Sequence, residues 1–217
     1  MPEGRMNIEC RGEQLILSKE KAIYWEREKM LIVSDLHIGK SAYFRKSGLQ
    51  VPHTVGLSDL QRLSLLLKTY PTEKLLVTGD MFHNNMNSDA AAFAEWRKQY
   101  PDLQVILVKG NHDDLKNEDY RALDIEVHTR EVISAPFRFV HEKPTIQDGY
   151  FNISGHIHPG VMLYGKARQR LRFPCFYFGS HCAILPAFSV FTGLYLLRPE
   201  AEDDRFYAIT PDRIIQV

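Results

Sequence analysis

The chain has 217 residues, of which 44% are hydrophobic and 25% are charged, as is ordinary for a globular protein in water. Lysine plus arginine and aspartate plus glutamate balance at 27 each, so net charge predicts neither a nucleic-acid partner nor a membrane surface. A local basic patch can still act within a neutral total. This length predicts one domain over residues 1–217, built around one sizeable core.

The cysteines and the apolar segments indicate a reducing, non-membrane setting. Cys10, Cys175 and Cys182 are far apart and form no Cys-x-x-Cys pair, which argues against a disulfide framework and a thiolate zinc site. The N-terminus is polar and has no apolar core, so we do not expect it to be a signal peptide. The longest apolar stretch, residues 183–197, contains a proline and a glycine and is shorter than the ~20 residues that span a bilayer. We therefore expect a cytoplasmic protein with no membrane partner.

The predicted elements begin with a β-meander. Residues 13–17 and 22–25 are strand-like segments on either side of a polar turn, and a second polar turn leads into the apolar run 30–33. Helices and strands then alternate. A first helix is predicted by apolar residues at helical spacing, with Ser58 and Gln61 as a capping box: Leu60, Leu63, Leu67 and Tyr70.

The alternation continues with a second helix, which Ser88 caps and Pro101 ends. Residues 74–77 and 103–108 are the next two strands. Together with residues 30–33 they are continuous apolar runs, as expected for strands that are covered on both faces. From Ile125 onward the pattern predicts further strands, which suggests two sheets packed together with helices outside: residues 137–140, 150–154, 161–164, 171–178 and 190–197.

Five of the predicted strands end in side chains that bind metals. Ligands of open α/β sheets bind at the carboxyl ends of strands, so these residues predict one site assembled from several loops. Aspartate, asparagine and neutral histidine offer oxygen and nitrogen to divalent transition metals, and sulfur is missing from the set. The residues are Asp35, His37, Asp80, Asn111, His112, Asp113, His141, His156 and His158.

The spacing of these residues also predicts their local geometry. In Asp35-Leu-His37 and His156-Ile-His158, an extended backbone points both ligands to one side and turns the middle residue into the core. A glycine stands before each of Asp80, Asn111 and His156, where it allows a sharp turn and a close approach of the backbone to the metals.

The ordered pattern resembles the calcineurin-like metallophosphoesterases from about Leu31 to His158. It consists of Asp35-x-His37, Gly79-Asp80, Gly110-Asn111-His112-Asp113, His141 and Gly155-His156-x-His158. The resemblance implies an α/β fold, a four-layer αββα sandwich of two mixed β-sheets flanked by helices, and a dinuclear metal centre. It assigns Asp35, His37, Asp80 and His158 to one metal, and Asp80, Asn111, His141 and His156 to the other. Asp80 would bridge the two metals, and His128 is the alternative to His141.

Over nearly its whole length, including the opening β-meander and residues 39–45, the chain is similar to a narrower family, the bacterial ligase-associated DNA damage response endonucleases. The similar segments are Leu171-Arg-Phe-Pro-Cys-Phe176, Leu185-Pro-Ala-Phe188 and Phe191-Thr-Gly193, whereas Ser189-Val190 replaces an expected glycine-containing pair. This resemblance implies a DNA endonuclease in DNA repair, with an ATP-dependent DNA ligase, a helicase and an exonuclease as partners. The alternative is a phosphodiesterase or phosphatase for a small phosphorylated metabolite.

The chemistry expected of such a site is metal-assisted hydrolysis. Two divalent cations, manganese by expectation and iron or zinc as alternatives, would share a water, lower its pKa and supply a bridging hydroxide that attacks phosphorus. His112 would stabilise the transition state and deliver a proton to the leaving oxygen. Asp113 would orient the neighbouring backbone or histidine.

Contacts to the substrate are expected from His83, Arg45, Arg168 and Arg170. The last two belong to a basic stripe in which Lys166, Arg168, Arg170 and Arg172 alternate with other residues and share one face of a strand. The stripe either follows DNA phosphates or guards an exposed edge strand. It contains no interleaved aromatic residue on which a base would stack.

Overall fold

Two β-sheets pack face to face, and helices cover the outer face of the first sheet. The computed structural model describes residues 4–46, 48, 54–83, 88–144, 148–165 and 169–217. In this part of the chain the first sheet has the strand order β1-β2-β3-β4-β5-β6-β7. These strands are β1 (Arg5–Cys10), β2 (Glu13–Ser18), β3 (Ala22–Trp25), β4 (Met30–Val33), β5 (Lys74–Val77), β6 (Gln104–Val108) and β7 (Ile125–His128).

The first sheet changes character at β4. Strands β1 to β4 are antiparallel, whereas β4 to β7 are parallel, so the ends of β4, β5, β6 and β7 lie at one edge. The described helices lie between β4 and β7 in the chain: α1 (Lys40–Lys46), α2 (Thr54–Thr69), α3 (Ser88–Arg97) and α4 (Asn117–Ala122). None of them is both long enough and apolar enough to cross a membrane.

The second sheet has the strand order β14-β11-β12-β13-β10-β9-β8, and β15 joins it by pairing with β12 and β16. Strands β9, β10 and β13 are parallel to one another, whereas β11 and β12 form an antiparallel pair. The strands are β8 (Glu131–Ser134), β9 (Phe137–Val140), β10 (Phe151–Ser154), β11 (Pro159–Tyr164), β12 (Arg170–Phe178), β13 (Cys182–Ile184), β14 (Tyr195–Leu196), β15 (Arg205–Ile209) and β16 (Ile214–Gln216).

The apolar runs of the first sheet are buried on both faces. Within β4, Leu31 packs toward the helices, whereas Ile32 packs toward the second sheet. Between the sheets, the fully buried ring of Trp25 makes an edge-on contact with Phe137, with ring centroids 4.8 Å apart. Burial on both faces removes more apolar surface from water than an amphipathic strand could, and it holds the two sheets at a defined spacing.

The predicted fold class is confirmed, since the molecule has two mixed β-sheets flanked by helices. The described helices all pack on the first sheet. On the outer face of the second sheet, Cys175 and Cys182 belong to a small apolar cluster. All three cysteines are free, and burial raises the pKa of the Cys175 thiol to about 12, as fits the expected role of a small buried hydrophobic residue.

Several predicted elements differ from the observed ones. The sequence pattern missed β1, β7, β8, β13, β15 and β16, of which four have only three or four residues. Helix α2 begins at Thr54, so Ser58 lies inside the helix and the predicted capping box is wrong. The predicted strand at residues 190–197 is reduced to β14. Just before it, the N–H groups of Phe188 and Ser189 donate to the carbonyls of Ser34 and Asp35, which turns this segment across the end of β4.

The interface between the sheets predicts the effect of a single truncation. Phe137 is fully buried there, so Phe137→Ala leaves a cavity, and we expect it to lower the free energy of unfolding by about 3–5 kcal/mol. Urea denaturation measures this change. Leu65→Ala removes a side chain that is 56% exposed and serves as the control, with an expected change within about 0.5 kcal/mol. Equal effects in the two variants would contradict the assigned core.

Candidate metal centre

The candidate ligands meet where strands of both sheets end. Asp35 follows β4 by two residues, Asp80 follows β5 by three, and Asn111 follows β6 by three. His141 directly follows β9, and His156 follows β10 by two residues. Because β4, β5 and β6 are parallel to one another, and β9 and β10 are parallel as well, five separate loops reach the same place.

Three of the ligands form a first group. Asp35, His37 and His158 each offer one ligand atom, and these atoms lie within 4.8 Å of one another. Nε2 of His158 is 3.2 Å from Oδ1 of Asp35. The spacing suits a single cation that is held by one carboxylate oxygen and two imidazole nitrogens.

Asp80, His141 and His156 form a second group, again with ligand atoms within 4.8 Å of one another. The side-chain oxygen of Asn111 lies 3.0 Å from Nε2 of His141, and Nδ1 of His156 lies 3.1 Å from the same nitrogen. Nδ1 of His141 lies 3.0 Å from the carbonyl of Thr78. A carbonyl only accepts, so Nδ1 carries the proton and Nε2 is the ring atom that can offer a lone pair to a cation. Lone pairs therefore converge here, as they do around a cation.

The carboxylate of Asp80 lies between the two groups. Its Oδ2 is 3.9 Å from Nε2 of His37 in the first group, and its Oδ1 is 3.6 Å from Nε2 of His141 in the second. Asp80 is 2% exposed, so both oxygens are removed from bulk water. One carboxylate between two sets of nitrogen ligands is the arrangement that a bridging ligand requires.

Buried ligand atoms without partners provide a test of whether cations fit. Within the described residues, Oδ1 of Asp35, both ring nitrogens of His37 and Nε2 of His158 are buried and make no hydrogen bond. An unsatisfied buried polar group costs about 1–3 kcal/mol, and more when it is charged, so such a cluster is unfavourable without a further partner. A divalent cation would satisfy Oδ1 of Asp35, Nε2 of His158 and one ring nitrogen of His37 together, since one nitrogen of a neutral imidazole has a free lone pair. The residues therefore fit two metal ions, one in each group.

The protonation of the first group favours metal binding. Burial, together with the positive charge of Lys40, lowers the pKa of His37 to about 3, so its ring is neutral and one of its nitrogens has a free lone pair. Burial alone acts to raise the pKa of Asp35, but contacts from His158 and Ser34 outweigh it and lower the pKa below its usual value. A neutral imidazole and an ionised carboxylate are the forms that bind a metal.

The backbone of the ligands is left-handed. The φ angles of Asp35 and His37 are 53° and 46°, and Asp80, His156 and His158 have φ of 51°, 67° and 54°. The expected extended backbone is therefore wrong. Leu36 still points into the core, with 2% exposure, because two left-handed residues flank it. The left-handed region is costly for residues other than glycine and is concentrated at functional sites.

The three glycines before ligands leave no room for a side chain. A Cβ atom at Gly79 would lie 1.9 Å from Nδ1 of His141, and one at Gly110 would lie 2.2 Å from Oδ1 of Asp80. At Gly155 it would lie 1.6 Å from Oγ of Ser34. The predicted close approach is thus seen, and it brings each backbone against another ligand or its supporting residue.

Asp113 connects two of the ligand loops. Its carboxylate accepts hydrogen bonds from the N–H groups of Phe82, at 2.9 Å, and Gly110, at 2.8 Å. It is 1% exposed, and burial raises its pKa to about 6. The N–H of His112 donates to Oδ1 of Asp80 at 2.9 Å, which adds a third link between these loops. Asp113 therefore holds backbone segments in place, in line with the orienting role expected of it.

The remaining predicted residues have different surroundings. The ring centroid of His112 lies 5.5 Å from that of His37 and 5.0 Å from that of His83, so His112 and His83 stand beside the first group. Burial lowers the pKa of His83. Arg45 donates to Asp89 at 3.0 Å. His128 belongs to neither ligand group among the described residues, and it pairs with Glu126 at 2.7 Å. Arg170 is exposed on β12, and Arg168 lies outside the described residues.

Lys40 was not predicted as a site residue. It begins α1, three residues after His37, and is half buried with its charge toward Asp35 and Asp80. Burial lowers its pKa, and the two carboxylates oppose that shift. The available signal was a lysine directly after Gly39, at a helix start beside two ligands. Lys40 adds one positive charge of the chain's own to the site.

Comparisons with known proteins agree with this geometry. The family model described as calcineurin-like phosphoesterase matches residues 28–213. The chain belongs to the calcineurin-like phosphoesterase family. It is similar to the solved structure titled "Crystal structure of Pseudomonas putida nuclease MPE", with 33% identity, a TM-score of 0.83, and coverage of 97% of this chain and 100% of that one. The calcineurin-like phosphoesterase is therefore a phosphoester-hydrolysing enzyme that uses divalent metals.

A second solved structure is more distant. It is titled "The Crystal Structure of the Protein of Unknown Function AQ665 from Aquifex aeolicus", with 19% identity, a TM-score of 0.41, and coverage of 64% of this phosphoesterase and 81% of that chain. The likeness is too low to carry an argument. A search of curated proteins finds no match.

The space around Gly155 predicts how the phosphoesterase responds to one methyl group. In Gly155→Ala the new Cβ would displace Ser34 and lie 2.7 Å from Oδ2 of Asp35, so we expect the affinity for Mn²⁺ to fall about 10–100-fold. Calorimetric titration with Mn²⁺ measures the change. Gly193→Ala is the control, since nothing lies within 4 Å of its added Cβ. Unchanged affinity in Gly155→Ala would contradict the proposed role of Asp35.

Proposed function

We propose that this enzyme is a dinuclear metal-dependent phosphodiesterase that cleaves DNA as an endonuclease in DNA repair. The observation that carries the proposal is the buried carboxylate of Asp80, which lies between two groups of ligand atoms drawn from both sheets. Mn²⁺ is the proposed metal. The first ion is assigned to Asp35, His37, Asp80 and His158, and the second to Asp80, Asn111, His141 and His156.

The charges of the site suit a phosphate diester. When bound, two divalent cations would stabilise the negative charge on the phosphoryl oxygens in the transition state and would lower the pKa of the attacking water. Two divalent cations contribute four positive charges, and Asp35 and Asp80 contribute two negative ones. Imidazole ligands add no charge, so the site keeps a positive excess. Lys40 raises the positive excess further from the side of α1. An excess of positive charge attracts the anionic substrate.

His112 is proposed as the general acid. Its backbone is held by the hydrogen bond to Asp80, and its ring lies beside His37 and His83, at the edge of the first group. A ring in this place can give a proton from its nitrogen to the oxygen that leaves phosphorus. General acid catalysis of this kind contributes about 10²–10⁴-fold to a rate.

DNA is proposed as the substrate because a nuclease is similar to this chain over nearly the full length of both proteins. At 33% identity, the likeness includes more than the shared fold. The association with a DNA ligase, a helicase and an exonuclease stays a prediction. So do the cytoplasmic location and the single-domain organisation.

An activity panel tests the proposed function. We expect the protein with added Mn²⁺ to cleave bis(p-nitrophenyl) phosphate and DNA, and to cleave p-nitrophenyl phosphate poorly. Asp80→Asn should remain folded and lose more than about 10³-fold of each activity, because one change weakens both metal sites. A preference for the monoester without cleavage of DNA would favour the small-metabolite alternative. Full turnover by Asp80→Asn would overturn the bridging role.

The role of His112 predicts a difference between two leaving groups. Nitrophenolate is stable as an anion and needs no proton, whereas the sugar oxygen released from DNA does. We therefore expect His112→Ala to lower kcat on DNA by about 10²–10⁴-fold and to affect the nitrophenyl diester much less. Steady-state kinetics on both substrates measure the split.

His181→Ala is the matched control for that experiment, because His181 is exposed and lies in the turn between β12 and β13. We expect it to leave both activities unchanged. Equal losses on the two substrates in His112→Ala would show that the histidine positions the site or stabilises the transition state without donating a proton.

A further inference from the structure

The hairpin formed by β11 and β12 carries exposed cations beside the metal centre. We propose that it is a DNA-binding arm, in which Arg170 and Arg172 bind backbone phosphates of a strand and Tyr164 stacks on one of its unpaired bases. The inference rests on the proposed function and deepens it, since it names the surface that would bind the part of the DNA strand outside the metal centre.

The position of the arm follows from strand pairing. Strand β11 begins directly after the candidate ligand His158 and runs six residues to Tyr164. At about 3.3 Å per residue, it carries the chain roughly 20 Å away from that ligand. Residues 175–178 of β12 pair with β15, whereas residues 170–174 pair with β11 alone among the described strands. The far half of the hairpin therefore extends beyond the rest of the second sheet.

The extension starts from the end of the sandwich at which the candidate ligands lie. Strand β12 is antiparallel to β13, and β13 is parallel to β10. The carboxyl end of β10 leads to His156 and His158, so the first residues of β12 lie at the same end of the sandwich. The arm thus projects from the edge at which the candidate ligands meet.

The register places the cations on a defined face. Arg170 is opposite Tyr164, and Arg172 is opposite Met162, so these four side chains share a face. Phe176 and Phe178 follow in the same alternation and pack between the two sheets. The face with the arginines is therefore the one that continues the inter-sheet face. Residues 170–172 lie beyond the part of β12 that pairs with β13 and β15, so their side chains on this face are exposed.

The charge and exposure of these residues fit a nucleic acid. Arg170 and Arg172 are exposed and form no ion pair within the described residues. Tyr164 is 74% exposed, so its ring is accessible to a ligand. Unpaired cations bind phosphates, and an exposed ring stacks with a base of any identity. Strand pairing thus supplies the aromatic residue that the linear basic stripe lacks.

A guarded edge strand explains fewer of these observations. On an edge strand, lysine or arginine side chains on either face prevent pairing with a strand of another molecule. That role requires neither an exposed tyrosine opposite Arg170 nor two cations on the same face as that tyrosine. DNA-strand binding accounts for the charge, the ring and their shared face together.

The test compares a large and a small substrate of the same centre. In Arg170→Ala/Arg172→Ala, we expect kcat/KM for a single-stranded oligonucleotide to fall at least about 10-fold, while bis(p-nitrophenyl) phosphate is cleaved at the wild-type rate. Each lost phosphate contact should also reduce the slope of log(kcat/KM) against log[KCl] by about 0.7, or about 1.4 for both. The small diester, measured at the same salt concentrations, corrects for effects on the metal centre and reports folding.

The control removes two arginines at the opposite end of the sandwich. Arg11 lies in the turn between β1 and β2, and Arg205 begins β15 opposite Phe178. Arg11→Ala/Arg205→Ala changes net charge equally, and we expect it to leave the salt slope unchanged. A similar loss in both double variants would overturn the arm, because general electrostatic attraction would then explain the result.

Tyr164 is tested by replacement and by substrate. Tyr164→Ala should weaken cleavage of the oligonucleotide several-fold, whereas Tyr164→Phe should retain it, and an oligonucleotide of abasic sites should not respond to either change. If the arginine double variant cleaves DNA with the kinetics of the wild-type protein, the arm alone is refuted. If the wild-type protein cleaves the small diester but does not cleave DNA, the proposed substrate is refuted instead.

Discussion

The convergence of acceptor atoms around Asp80 is the constraint on which the rest of the structure depends. Carboxylate oxygens and imidazole lone pairs lie within a few ångströms of one another in a buried place, where such an arrangement is unfavourable without cations. The cost extends to the backbone, because five of the ligands have left-handed φ angles. Backbone hydrogen bonds across the loops, such as that from Asp35 N–H to the carbonyl of Gly79, hold these conformations.

The sandwich supplies the rigidity that this convergence needs. Each ligand group takes residues from both sheets, so the relative position of the sheets sets the distances within each group. Trp25 and Phe137 lie in the packed interface that fixes that position. A glycine before each of three ligands then lets loops from different strands touch. A site held from several rigid elements is organised before metal or substrate binds, which is the condition for electrostatic catalysis.

The same strand ends connect catalysis to substrate binding. His158 is a candidate ligand, and the next residue begins the strand that carries Tyr164. The proposed arm is therefore joined to the metal centre through continuous backbone and a paired strand, without a linker. A DNA strand held on the arm would be positioned relative to the metals by the register of β11 and β12. The loops around Asp80 would thus carry out the chemistry, and the arm would position the DNA strand.

The sequence by itself determined the strands with continuous apolar runs, the chemical types of the ligands and the loops on which they lie, because these depend on local periodicity and side-chain chemistry. Only the tertiary structure decided that His141 joins the ligands while His128 pairs with Glu126, since that choice depends on how the second sheet packs. It also decided the left-handed backbone at Asp35 and His37, where long-range hydrogen bonds outweigh local preference. The pairing of Arg170 with Tyr164 likewise follows from strand register, which no local pattern encodes.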